Sequence, residues 1–130
     1  MASIIEDFEI DADPDTVWAA LRDFGALHQR LVRGFVVDAQ LEGDVRTITF
    51  FNGLVARERL VGTDDAQRRL AYTVLGGRTE HHHAVAQVFA AGEGRSRFFW
   101  TTDVLPDAAA DFIRPMMARG AEAMRQTFKA

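Results

Sequence analysis

Residues 43–77 read GDVRTITFFNGLVARERLVGTDDAQRRLAYTVLGG. Apolar and polar side chains alternate along three runs, Val45–Phe51, Leu54–Thr63 and Arg69–Leu75. A period of two is the pattern of antiparallel strands with one covered and one solvated face. Asn52-Gly53 between the first two runs is a strong hairpin signal, and TDDAQ at 63–67 supplies the next turn. In the second run, Val55, Arg57, Arg59 and Val61 share the face suited to water. Leu54, Ala56, Glu58 and Leu60 share the covered face. A three-residue turn with Gly53 left-handed sets Phe50 opposite Leu54, Ile48 opposite Ala56 and Arg46 opposite Glu58. A two-residue turn sets Arg46 against Arg59, a like-charge pair. The first register is therefore expected, with Arg46–Glu58 as an ion pair on the covered face.

Working outward, Ser3–Ile10 reads as a strand with Ile4, Phe8 and Ile10 inward. A helix follows, with Asp13 as N-cap, Pro14 at the first helical position and Val17, Trp18, Leu21 and Phe24 as its buried stripe. Gly25 is expected to close it at C′. A short helix is expected over Ala26–Val32, then Gly34 as a break and a strand over FVVDAQL, 35–41. Beyond the opening stretch come strands over Glu80–Ala90 and Ser96–Leu105, joined by AGEGR. Pro106 stops the second. From Asp107 to Phe128, apolar residues recur at three- and four-residue steps, which predicts a long helix kinked near Asp111 by Pro115. The order is strand, two short helices, about six strands and one long helix. The expected fold is α+β: a curved antiparallel sheet of six to seven strands wrapped around the C-terminal helix, as one domain over 1–130.

Composition narrows the function. The chain has 130 residues, a net charge of -4 and no cysteine. The acid surplus speaks against a nucleic-acid partner, which needs clustered basic charge. Without cysteine there is no disulfide, thiolate metal site or thiol nucleophile. No apolar run is long enough to span a bilayer, and the acidic start MASIIEDFEI lacks the pattern of a signal peptide, so the expected location is cytoplasmic. A homodimer is compatible with the sequence, although nothing in it points to one.

Alternation also assigns the inner face of the sheet. Leu70, Tyr72 and Val74 point inward from the fifth strand. His82, Ala84, Ala86 and Val88 do so from the sixth, and Phe98, Trp100, Thr102 and Val104 from the seventh. Two inward alanines opposite the long helix, with Gly120 on that helix, leave volume unfilled. Phe112, Met116 and Met117 are adaptable walls. The pattern predicts a cavity lined by Ile48, Phe50, Leu54, Ala56, Val74, Ala84, Ala86, Phe98 and Trp100 from the sheet and by Phe112, Met116, Met117 and Gly120 from the helix. Arg46, Glu58, Tyr72 and His82 are its polar groups, with Thr102 near them and His28 at its mouth. Of the run His81-His82-His83 only two can share a face, so no metal site is expected. Nothing asks for a cofactor.

Several stretches together resemble the START and birch-pollen-allergen-like (SRPBCC) superfamily, in its polyketide cyclase/dehydrase-like branch. They are DPDTVWAALRDFGAL (13–27), GDVRTIT (43–49), ERLVGTDDAQRRLAYTV (58–74) and the Trp100 strand ending at Pro106. The resemblance implies a helix-grip fold with a hydrophobic cavity between sheet and long helix. Family members usually carry an aromatic residue shortly after the first helix; here that place holds His28-Gln29-Arg30. Two functions follow as expectations. One is binding of a small hydrophobic, lipid-like or polyketide-like molecule. The alternative is a cyclase/aromatase or dehydratase, in which Arg46 polarises a carbonyl and Tyr72, His82 or Glu58 moves protons. The residues show no nucleophile–base–orienter spacing, which leaves enzyme or binding protein open.

Overall fold

The computed structural model describes residues 2–129; Met1 and Ala130, the ends of the expected domain, lie outside them. Seven strands run in the chain as β1 (Ala2–Ile10), β2 (Val36–Glu42), β3 (Val45–Phe50), β4 (Val55–Asp64), β5 (Arg69–Leu75), β6 (His81–Ala90) and β7 (Ser96–Leu105). Helices α1 (Pro14–Arg22) and α2 (Leu27–Arg30) separate β1 from β2, and α3 (Ala110–Thr127) follows β7 after one 3-10 turn at Asp107–Ala109. The strands form one antiparallel sheet in the order β1-β7-β6-β5-β4-β3-β2. Consecutive strands from β2 to β7 are therefore neighbours, and β1 pairs back onto β7. The first two strands lie at opposite edges, so α1 and α2 must carry the chain across the open end of the curled sheet. That crossing, which the topology imposes, makes them an end wall.

The hairpin register is the expected one. Arg46 pairs with Glu58 and Ile48 with Ala56. Phe50 N–H donates to Leu54 O at 2.8 Å, and Gly53 stands at φ +86° with N–H donating to Phe50 O. A side chain at Gly53 would meet nothing within 4 Å. Gly53→Ala is therefore expected to cost only the left-handed backbone penalty, about 1–2 kcal/mol, read as a lower urea midpoint with the slope unchanged.

One sequence expectation about the ends of α1 is corrected. α1 ends at Asp23, with Phe24 and Gly25 beyond it, and Gly25 is not left-handed. Its lack of a side chain serves close packing instead: a Cβ there would stand 3.0 Å from the Leu41 Cβ. Asp13 takes the N-cap position as expected, with extended backbone, although its side chain makes no cap bond. Pro14 occupies the first turn as expected.

The C-terminal helix runs through Pro115. It does not lie centrally along the sheet. Ile113 and Met117 pack with Ile4 and Val104, on β1 and β7, while Ala121 and Met124 join the larger core around Phe8, Phe98 and α1. Anchoring α3 over the β1–β7 side leaves the inner face of β3 to β5 free of α3, while α1 packs against β6. No helix among the described residues is long and apolar enough to cross a membrane.

Candidate functional site

The uncovered face encloses a cavity of about 390 Å³. Four groups of residues close it. The sheet supplies the floor, with Ile48, Ala56, Val74, Ala86, Phe98 and Trp100. α1, α2 and the approach to β2 supply the end wall, with Leu21, Leu27, Leu31, Val32 and Phe35. α3 supplies the roof through Phe112, Ile113, Met116, Met117 and Met124. The tip of the β3–β4 hairpin (Phe50, Leu54, Val55) and the β5–β6 loop (Gly76–Thr79) form the mouth, where Leu54 and Val55 are exposed.

Polar groups gather toward the end wall. Cross-strand pairing puts Arg46 and Glu58 side by side, both buried on the covered face. Arg46 Nε and Nη2 each approach Glu58 Oε1 at 2.8 Å, and Nη1 donates to the Phe24 carbonyl at 3.2 Å. Its guanidinium carbon lies 3.8 Å from the Phe24 ring centroid and 5.3 Å from that of Tyr72. Phe24, just past α1, thus holds Arg46 by both its ring and its carbonyl. α1 is itself held to the β4–β5 turn by Trp18 Nε1 donating to Asp65 at 2.9 Å. Three bonds engage Arg46, and a guanidinium has five N–H donors, so two remain for another acceptor.

Burial, with the Glu58 charge beside it, pushes the Tyr72 hydroxyl well above the usual phenol range; the Arg46 charge and the Trp100 indole oppose this only in part. Near neutral pH Tyr72 is therefore a hydrogen-bond donor and not a base. Burial, helped by the His81 charge, pulls His82 down to about 4, so it is neutral and able to accept a proton or hydrogen bond. An unfolded chain protonates this histidine at about 6.5, so between that value and about 4 the unfolded state binds more protons. The resulting stability is complete above the upper value and is lost as pH falls through the window, by roughly 3 kcal/mol at most. His82→Gln is expected to flatten the fall in urea stability between these limits; an unchanged pH slope would contradict the assignment.

All four polar residues expected at the site line the cavity, as does Thr102, whose Oγ1 has no partner among the described residues. Most apolar residues expected there do so too, but two do not. Ala84 is fully buried and stands between Tyr72 and Thr102 in one cross-strand row. Gly120 is closed off, because a Cβ there would stand 3.1 Å from Trp100 and 3.2 Å from Phe35. It brings the helix close to two aromatic rings and does not open space. His28 is also absent from the lining; its Nδ1 is buried without a partner among the described residues. His81 and His83 stack at 6.4 Å, and among the described residues no group of three or more acids and histidines converges on a metal-sized site. Sequence reasoning missed the end wall and the β5–β6 loop. The apolar cluster Leu31, Val32, Phe35 and Val36 was the available signal, but Gly34 interrupts any period that would assign it a face.

Residues 1–130 match the family described as polyketide cyclase / dehydrase and lipid transport. The chain belongs to this family. It is a family of hydrophobic-ligand binders. No curated protein matches the chain significantly. Among solved structures, the protein XoxI from Bacillus cereus superposes with a TM-score of 0.86 at 23% identity, over 98% of this chain and 96% of that one. A START superfamily protein from Mycobacterium smegmatis gives 0.80 at 12% identity, covering 98% and 97%. Truncated norcoclaurine synthase from Thalictrum flavum gives 0.71 at 16% identity, covering 96% and 91%. At these identities the likeness is one of fold. It agrees with the curved helix-grip sheet that the family shares.

Proposed function

We propose that this chain binds one small, largely hydrophobic molecule, lipid-like or polyketide-like, between the sheet and α3. A carbonyl or hydroxyl oxygen of that molecule meets the Arg46–Tyr72 wall. The observation that carries this reading is a cavity of about 390 Å³ whose lining is mostly apolar, with Arg46, Glu58 and Tyr72 as a cluster of buried polar groups that keeps unused hydrogen-bonding capacity. Binding sites for small molecules commonly enclose roughly 300–1,000 Å³ with a few placed polar groups. The two unengaged donors of Arg46 and the protonated Tyr72 hydroxyl suit an oxygen acceptor, and neutral His82 suits a donor. Methionines on the roof can repack around an irregular shape.

Native mass spectrometry and thermal shift against lipid-like and polyketide-like compounds test the proposal. A one-to-one complex that raises the melting temperature is the expected result. An experimental structure with the cavity closed by repacked side chains would overturn it.

A further inference from the structure

The deep end of the cavity carries no surplus charge. Arg46 is matched by Glu58, Tyr72 keeps its proton and His82 is neutral. Any preference for a charged ligand must come from the mouth. There two arginines stand on aromatic rings: the Arg78 guanidinium carbon lies 4.2 Å from the Phe112 centroid and that of Arg119 lies 4.3 Å from Phe51. Phe112, Met116 and Arg119 recur at four- and three-residue steps and so follow one stripe of α3. Arg78, Phe112 and Met116 line the cavity, and Phe51 adjoins the lining residue Phe50.

Neither arginine has a side-chain hydrogen bond or ion pair among the described residues, although many arginines of this acidic chain do, including Arg22, Arg68 and Arg97. Glu80 and Asp111 adjoin the mouth in sequence and pair with neither. Stacking uses the face of a guanidinium and leaves its N–H edge free, in the plane that matches a carboxylate or phosphate.

We propose that the cavity takes an amphipathic anion: its apolar body fills the interior while its carboxylate or phosphate is held at the mouth by Arg78 and Arg119. This rests on the binding function proposed above and adds the charge class of the ligand. The position of the two arginines makes them selectivity residues for the head group, outside the neutral interior.

Calorimetry with decanoate, decanol and decylamine tests it, on the wild type and on Arg78→Gln and Arg119→Gln. Both arginines are exposed, and decanol affinity serves as the control for folding and cavity integrity. Decanoate is expected to bind wild type about tenfold tighter than either partner compound, a charge-assisted hydrogen bond's worth. Each substitution should reduce that preference, read as the ratio of decanoate to decanol affinity in the same protein. Equal affinity for decanoate and decanol, or a preference that survives both substitutions together, overturns the proposal while leaving the cavity reading intact. Failure of all three compounds to bind overturns both. Vesicles of neutral and anionic phosphatidyl lipids form the last arm. Arginine-dependent capture by anionic vesicles, without a preference for free decanoate, would make the mouth a membrane-docking surface and also overturn the proposal.

Discussion

Glu58→Ala is expected to destabilise the fold by about 3–5 kcal/mol, the cost of leaving a buried charge without its partner. Of its protein acceptors Arg46 would keep only the Phe24 carbonyl, while itself buried. Urea unfolding at neutral pH reads the effect. The double variant Arg46→Met, Glu58→Leu should recover most of the loss, because apolar side chains of similar size avoid the desolvation penalty. A pair retained for stability would leave that variant weaker than the wild type. A pair retained to meet a ligand oxygen would leave it stable and poorer at binding ketones and alcohols.

The second large effect separates two neighbouring alanines. Ala86 lines the cavity and Ala84 does not, although both face inward from β6. Ala86→Phe is expected to place its ring in the empty volume and hold stability within about 1 kcal/mol of wild type, since room for it exists. Ligand affinity should drop at least about a hundredfold, equal to about 2.7 kcal/mol. Ala84→Phe has no such room beside Tyr72 and Thr102 and should cost about 1–3 kcal/mol or more by overpacking. Melting temperature and ligand titration on the two variants give opposite patterns.

These two alanines also mark how far the sequence could be read. Strand alternation made the covered face legible, and the clash of Arg46 with Arg59 selected the correct turn register. Both follow from rules that act between adjacent residues or strands. Alternation could not tell Ala84 from Ala86, because both share the inward face and only tertiary packing decides which of them meets the cavity. Gly120 looked like space because the positions of Trp100 and Phe35 against it come from tertiary packing. The end wall was hidden for a topological reason: α1 and α2 close the cavity only because β1 and β2 lie at opposite edges. Arg78 and Arg119 escaped notice because one sits in a loop without a period and the other is a charged residue within an otherwise apolar helical stripe.

The central claim is that the space between sheet and α3 receives a ligand. A fluorescence titration with the neutral apolar probe N-phenylnaphthylamine, run on wild type and Ala86→Phe side by side, tests it most directly. The account predicts saturable one-site binding to the wild type and none to the variant, with both proteins folded. Equal binding to the two would place the probe elsewhere on the surface and contradict the claim.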